Sequence, residues 1–203
     1  MMTIRIDKIE NELQTDAIKL FSQAFVDDPL YKFVFPDEHR RTELTKLMYE
    51  FVVREMVPGL NLTMKGAFTD DNKLIGCMIY TNLKSTDWNE KLTNAAIEMR
   101  KKAHDKRMEL IGEYASKCSE YRPEVKHYYG NELAVRKEYR KQGIAKLLVF
   151  NMIEDFQNNP EAELIAIDTT NEKNVPLYQK WGWKLNASFD FYDIKVFSMW
   201  RGK

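Results

Sequence analysis

The sequence of 203 residues contains few of the features that tie a protein to a membrane, to secretion or to a metal centre. Its two cysteines, Cys77 and Cys118, have neither metal-ligand spacing nor the density of a disulfide framework. No apolar run approaches the roughly 20 residues that span a bilayer, and residues 1–10 contain no apolar signal-peptide segment. These absences predict a soluble cytoplasmic protein with reduced thiols, no metal ion and no membrane partner.

An excess of charge of one sign is also missing. The 31 lysines and arginines balance the 31 aspartates and glutamates, so no global basic field is available to hold a nucleic-acid backbone. The basic cluster from Arg100 to Arg107 is flanked by acidic residues, which favours a solvated helix face over an anion-binding patch. We therefore expect no nucleic-acid partner.

The composition predicts one folded domain. Apolar residues make up 44% of the chain and charged residues 31%, a mixture that can bury a core and still carry a solvated exterior. Aromatic residues reach 12% and recur along the chain, so several elements should contribute large side chains to a common core. We expect a single domain over residues 1–203, as a monomer or a homodimer.

The periodicity of the apolar residues predicts an α+β order of elements. Strands are expected at residues 3–7, 61–69, 73–81, 127–135 and 164–168, with two more between 183 and 200. Helices are expected at 12–26, 39–56, 143–157 and 175–181, with a short helix or packed turn at 31–35. Residues 85–121 are charged and lack proline, which predicts a helical insertion that docks on the core through Leu92, Ala96, Met99, Ala103 and Leu110.

The segment from Glu132 to Ala145 carries the first chemical signal. It reads as a strand, a basic turn and the start of a helix, with Gly143 where a side chain could obstruct a ligand. Such a helix start presents unpaired backbone N–H groups and the positive end of the helix dipole, which together suit a phosphate or pyrophosphate. A plain strand-to-helix turn would also explain this segment, so its meaning depends on its context in the chain.

A second strand and short helix come about thirty residues later. Together the two segments resemble the GNAT superfamily of N-acetyltransferases. Its pyrophosphate pattern Q/R-x-x-G-x-G/A is met by Arg140, Gly143 and Ala145, and its downstream pattern is met by Asn171, Tyr178, Gly182 and Trp183. The run from Asn174 to Tyr178 resembles the branch that includes puromycin N-acetyltransferase. The resemblance is strong from Tyr128 to Trp183, looser toward the N-terminus and absent from residues 85–121.

This resemblance implies a mainly antiparallel, mixed central sheet with helices on both faces, and acetyl-CoA as cosubstrate. It implies that backbone groups of Leu133, Ala134 and Val135 pair with the pantetheine arm as a further strand would. It also implies that the loop holds the pyrophosphate through Arg140, Lys141, Gln142, Gly143, Ile144 and Ala145. Asn171 and Asn174 are both candidates for the pantetheine end, with Asn174 preferred by its spacing from Tyr178.

The family's use of a tyrosine hydroxyl makes Tyr178 the expected general acid for the departing thiolate, although a core tyrosine is the alternative. The acceptor amine must also lose a proton, and Glu132 is the candidate base, with an ordinary strand glutamate or a water chain as alternatives. Phe25, Tyr31 and Phe35 either line the acceptor pocket or pack in the core.

We therefore expect an N-acetyltransferase that transfers the acetyl group directly to the primary amine of a small molecule. The helical insertion at about 85–121 is expected to form a lid over the acceptor end of the cleft. The alternatives are acetylation of a protein N-terminus or lysine, and a non-catalytic sensor that binds acyl-CoA.

Overall fold

A seven-stranded sheet runs through the computed structural model, which describes residues 3–203. Its strands are β1 (Arg5–Lys8), β2 (Thr63–Phe68), β3 (Leu74–Thr81), β4 (His127–Val135), β5 (Leu164–Thr169), β6 (Lys184–Phe191) and β7 (Ile194–Gly202). The order is β1-β2-β3-β4-β5-β7-β6. Within the described chain every neighbouring pair is antiparallel except β4 and β5. The expected mixed, mainly antiparallel sheet is confirmed.

Eight α-helices accompany the sheet in this part of the chain. They are α1 (Gln14–Phe25), α2 (Pro29–Val34), α3 (Glu38–Phe51), α4 (Val57–Gly59), α5 (Glu90–Ala103), α6 (Glu109–Ser119), α7 (Ile144–Gln157) and α8 (Val175–Lys180). A π-helical turn, Val52–Met56, joins α3 to α4, so the long helix expected up to residue 56 is regular only as far as Phe51. No helix of residues 3–203 is long and apolar enough to cross a membrane.

The helices cover both faces of the sheet, as expected. On one face α1 packs on β3 and β4 and against α3, and its buried Phe21 lies in the same apolar cluster as Leu44 and Tyr49. On the other face α7 packs on β2, β3 and β4, and it buries Ile144 and Met152. We call these the α1 face and the α7 face.

The segment expected to form a helical insertion folds into α5 and α6 on the α1 face. Four of its five expected docking residues are buried, and the fifth, Leu110, is partly buried against the same cluster. Helix α5 packs against α3. Both helices begin at ordinary signals, because the Asn89 side chain accepts a hydrogen bond from the Leu92 N–H and Asp105 caps the turn before α6.

Strands β4 and β5 separate after a short paired stretch. Their pairing covers His127–Gly130 and Leu164–Ile167 and then stops, although both strands continue. Parallel strands share hydrogen bonds along their common length, so the backbone of β4 beyond Gly130 has lost this neighbour. The separation opens a gap in the middle of the sheet.

A β-bulge at Asn131 lies where this gap begins. Tyr80 of β3 pairs with Gly130, and the next residue back, Ile79, pairs with Glu132, so Asn131 is the extra residue. Side chains alternate between faces along a strand, and residues three apart would ordinarily point to opposite faces. The bulge restores Glu132 to the α1 face, which it shares with Tyr129.

Candidate active site

A cavity of about 250 Å³ occupies the gap between β4 and β5. Side chains from both faces line it, among them Met78, Met152 and Trp183 from the α7 face. Phe25, Tyr31 and Met48 line it from the α1 face. The cavity therefore passes through the sheet between the separated strands and connects the two faces.

Glu132 lines this cavity from β4. The Tyr49 hydroxyl of α3 donates a hydrogen bond to its Oε2 atom at 2.9 Å. Loss of hydration deep in the protein raises the pKa of the Glu132 carboxyl to about 8, an effect opposed by the Tyr49 hydrogen bond and reinforced by the charge of Asp28. A carboxyl group with this pKa can exchange a proton near neutral pH.

Asp28 brings a second carboxyl group to the same wall. It caps α2, because its Oδ1 accepts a hydrogen bond from the Leu30 N–H at 2.9 Å and another from the Thr170 hydroxyl at 3.1 Å. Burial raises the pKa of Asp28, while these hydrogen bonds oppose the effect. Asp28 thereby links the start of α2 to the loop that follows β5.

Tyr178 reaches the cavity from α8, on the side of the α7 face. Its ring meets the rings of Trp181 and Trp183 edge-on, with centroid separations of 5.6 and 5.9 Å. Burial raises the pKa of its hydroxyl to about 12, so the proton stays on the oxygen at neutral pH. Asn174 also lines the cavity, and its amide donates to the Thr169 hydroxyl at 3.1 Å.

The loop before α7 has the geometry of an anion cradle. Gly143 caps the helix at φ +84°, a conformation that favours glycine, and an added Cβ would meet nothing within 4 Å. Open space therefore adjoins the first-turn N–H groups of Ile144 and Ala145. Arg140 donates from Nε to the Val135 carbonyl at 3.1 Å, which fastens the loop to the end of β4.

The other expected site residues are only partly at the cavity. Asn171 is exposed, and its side chain accepts a hydrogen bond from the Lys173 N–H. Leu133 lines the cavity, whereas Ala134 and Val135 are buried behind it. Phe35 is 1% exposed and packs in the core instead of lining the cavity, unlike Phe25 and Tyr31. Lys141 and Gln142 are exposed on the loop.

The insertion contributes one wall. Ile111, Tyr114, Ala115 and Cys118 of α6 line the cavity, and α5 supplies none of the lining residues. Burial raises the pKa of the Cys118 thiol to about 12, so it is protonated at neutral pH and is a poor nucleophile. Helix α6 alone has the position of the expected lid.

Several polar residues in or next to the cavity escaped the sequence analysis. Tyr49 lies 83 positions from Glu132, and no local pattern joins them. Asp28 precedes Pro29, a helix-start signal that indicates a cap but not a place in a cavity. Arg122 and Asp168 also line the cavity. No cluster of histidine, cysteine and carboxylate side chains in residues 3–203 is arranged to hold a metal ion.

Comparison with known proteins identifies the fold. The model of the Acetyltransferase (GNAT) family matches residues 28–183. A histone acetyltransferase HPA2-related acetyltransferase from Corynebacterium glutamicum superposes with TM-score 0.71 at 12% identity, covering 99% of this chain and 97% of that one. No curated protein matches the sequence significantly.

Two further solved structures are similar. An N-acetyltransferase from Thermoplasma acidophilum in complex with coenzyme A has TM-score 0.60 and 16% identity, with full coverage of both chains. Arylalkylamine N-acetyltransferase 2 from Aedes aegypti has TM-score 0.64 and 18% identity, covering 98% of this chain and 99% of that one. At these identities the likeness shows a common fold.

Proposed function

Because the chain belongs to the Acetyltransferase (GNAT) family, we propose that it transfers the acetyl group of acetyl-CoA directly to the primary amine of a small molecule. One observation carries the proposal. A single cavity between the separated strands holds Glu132, with a pKa of about 8, and Tyr178, whose hydroxyl is protonated at neutral pH. At neutral pH the Tyr178 hydroxyl carries the proton that a departing thiolate needs, and a carboxyl group with a pKa near 8 can accept a proton from an amine once it is ionised.

The residues present fit acetyl-CoA. The open space beside Gly143 and the N–H groups at the start of α7 suit its pyrophosphate. The unpaired edge of β4 beyond Gly130 suits the amides of its pantetheine arm. When bound, acetyl-CoA supplies an activated acetyl group as a thioester. Leu133 and Asn174, which both line the cavity, would orient its reactive end.

Glu132 would act as the base. An amine enters mostly as an ammonium ion, and the carboxyl groups of Glu132 and Asp28 both favour a cation in the cavity. The positive charge of the ammonium ion lowers the pKa of Glu132, so the carboxyl group ionises. The resulting carboxylate then accepts the proton from the amine. The hydrogen bond from Tyr49 holds the carboxylate in place.

Tyr178 would act as the acid. Its hydroxyl would donate a proton to the sulfur as the thiolate departs, and this help matters most when the leaving group gains charge. A backbone N–H of β4 near Leu133 would polarise the thioester carbonyl, because the strand has no β5 neighbour there.

The size and walls of the cavity favour a small acceptor. Its volume is about 250 Å³, and α6 forms one wall with Tyr114 and Ala115. A peptide substrate would need an open groove past this helix. The similar Aedes aegypti enzyme is named for arylalkylamines, and the aromatic rings of Phe25 and Tyr31 would suit an amine with an apolar body. Cytoplasmic location and a monomeric or homodimeric state belong to the proposal.

The test is thiol release from acetyl-CoA with a panel of small primary amines and with peptides that carry a free N-terminus or lysine. We expect release only with small amines, each matched by its acetylated product in the mass spectrum. Glu132→Gln should reduce this release about 10²–10⁴-fold, and the exposed Glu163→Gln should leave it unchanged. Acetylation of peptides alone would favour the protein-modifying alternative, and coenzyme binding without release would favour the sensor.

A further inference from the structure

The cavity contains a second polar group that the proposed chemistry does not use. We call it the Asp168 cluster, consisting of Asp168, Tyr129 and Arg122. The Tyr129 hydroxyl donates a hydrogen bond to Asp168 Oδ2 at 2.7 Å, and the Arg122 guanidinium lies 3.9 Å from the centroid of the Tyr129 ring. All three side chains line the cavity on the α1 face, beside α6.

Two atoms of this cluster lack a partner. Among residues 3–203, no group donates a hydrogen bond to Asp168 Oδ1 and none accepts one from Arg122 Nε, although both atoms are buried. The Ser198 hydroxyl and the Cys118 thiol lie near the carboxylate, but neither reaches Oδ1 with hydrogen-bond geometry. Buried polar groups are ordinarily paired, and this cluster leaves one acceptor and one donor over, besides the indole Nε1 of Trp183 elsewhere in the cavity wall.

The charges of the cavity differ between its two polar ends. Asp28 and Glu132 share one end, and Arg122 is the one cationic side chain among the described residues that line the cavity. The positive charge of Arg122 favours the ionised form of Asp168, so the cluster brings a carboxylate and a guanidinium together. The first end therefore favours an ammonium ion, and the second favours a neutral group that both donates and accepts a hydrogen bond.

The strand register sets the spacing of the two ends. Tyr129 pairs with Thr81, and Glu132 pairs with Ile79, two residues away on β3. Two residues of strand span roughly 7 Å. A substrate whose amine and neutral polar group are joined by a few bonds would match this separation.

We propose that the acceptor is a short primary amine with a hydroxyl or amide group at its other end, and that Asp168 and Arg122 bind that group. The inference rests on the proposed function for the reaction itself. The neutral group donates to Asp168 Oδ1 and accepts from Arg122 Nε, while the amine lies beside Glu132 and Asp28. Asp168 and Arg122 are thus specificity-determining residues.

Three amines of equal heavy-atom count test this inference: 4-aminobutan-1-ol, pentan-1-amine and butane-1,4-diamine. Their kcat/KM values are compared in the presence of acetyl-CoA. We expect the amino alcohol to exceed the alkylamine by roughly tenfold or more, as hydrogen bonds to charged groups provide. Equal values, or a preference for the alkylamine or the diamine, would overturn the proposal. A second pair, 4-(2-aminoethyl)phenol and 2-phenylethylamine, repeats the comparison with a longer, aromatic spacer.

Two variants assign the preference to the cluster. Arg122→Met removes the donor and keeps an unbranched chain over the Tyr129 ring, and Asp168→Asn removes the carboxylate with little change of shape. Each should reduce kcat/KM for 4-aminobutan-1-ol roughly tenfold and leave pentan-1-amine unchanged. Lys117→Met is the matched control, since it removes a partly exposed positive charge from α6. Equal losses for both amines in folded protein would reassign the cluster to structure.

Binding measurements separate this inference from the proposed function. Calorimetry with coenzyme A present compares the affinities of the amino alcohol and the alkylamine without any turnover. Tighter binding of the alcohol that depends on Asp168, with no acetylation of either amine, would support the cluster and reject the reaction. Acetylation of both amines with equal affinity would support the reaction and reject the cluster. Failure of both measurements would reject both.

Discussion

Replacing Glu132 by glutamine should make the protein increasingly more stable than the wild type as the pH rises. The native structure keeps this carboxyl in a desolvated site, where its pKa is about 8, compared with 4.5 for a free glutamate. Between these two values the unfolded chain loses the proton while the native chain retains it. The unfolded state therefore gains stability from ionisation that the native state cannot gain until the pH exceeds 8.

The magnitude of the effect is set by the same two values. Each pH unit between 4.5 and 8 lowers the free energy of unfolding of the wild type by about 1.4 kcal/mol through this one group. The accumulated penalty is about 3 kcal/mol at pH 7 and about 5 kcal/mol above pH 8. Glutamine carries no such penalty and can still accept the hydrogen bond from Tyr49. Below pH 4.5 the carboxyl is protonated in both states, so this contribution vanishes there.

Urea denaturation of both proteins from pH 4 to pH 9 measures this difference. The free energy of unfolding of Glu132→Gln minus that of the wild type should rise with pH and level off near pH 8. Glu163→Gln, which removes an exposed carboxylate, should show no such slope. A difference between Glu132→Gln and the wild type that is independent of pH would refute the raised pKa and leave Glu132 an ordinary glutamate. In the same variant, acetyl transfer should fall about 10²–10⁴-fold.

Three further substitutions test other parts of the site. Tyr178→Phe should lower turnover about 10²–10⁴-fold with little change in coenzyme affinity by calorimetry; full activity, with chemistry limiting the rate, would return this tyrosine to core packing. Gly143→Val should weaken coenzyme binding at least about tenfold, because its side chain enters the open space of the cradle. Its control, Gly112→Ala inside α6, should raise stability by about 1 kcal/mol and leave coenzyme binding unchanged. Tyr49→Phe removes a hydrogen bond that lowers the pKa of Glu132, so the acid limb of the pH profile of kcat/KM should move to higher pH; an unmoved limb would argue against Glu132 as the base.

Local patterns in the sequence predict most of the fold. The strand expected at 127–135 is β4 with the same bounds, and the helix expected at 143–157 differs from α7 by one residue. The helix begins at a strong local signal, the glycine that caps it at Gly143. The resemblance to the GNAT superfamily is confirmed by the family model, while the branch within it stays a prediction.

The site is less accessible from sequence because its contacts are long-range. The sequence left open whether Phe25, Tyr31 and Phe35 line the cavity or pack in the core, because the turn at the end of α2 that buries Phe35 while Tyr31 lines the cavity has no local signal. The partner of Glu132 comes from α3. Asp168, near the end of β5, feels the charge of Arg122, which follows α6, and no sequence period joins these two segments. That Glu132, Tyr178 and the coenzyme loop act in catalysis stays a prediction.

The bulge at Asn131 has a consequence for comparing this chain with relatives. A one-residue deletion there would leave a regular ladder in which Glu132 still pairs with Ile79 on the α1 face, whereas loss of the bulge without a deletion would turn its carboxylate toward α7. Two sequences can therefore carry a glutamate in the same alignment column and present it to opposite faces of the sheet. Equivalence should therefore be judged from the pairing of β4 with β3 and not from the alignment column alone.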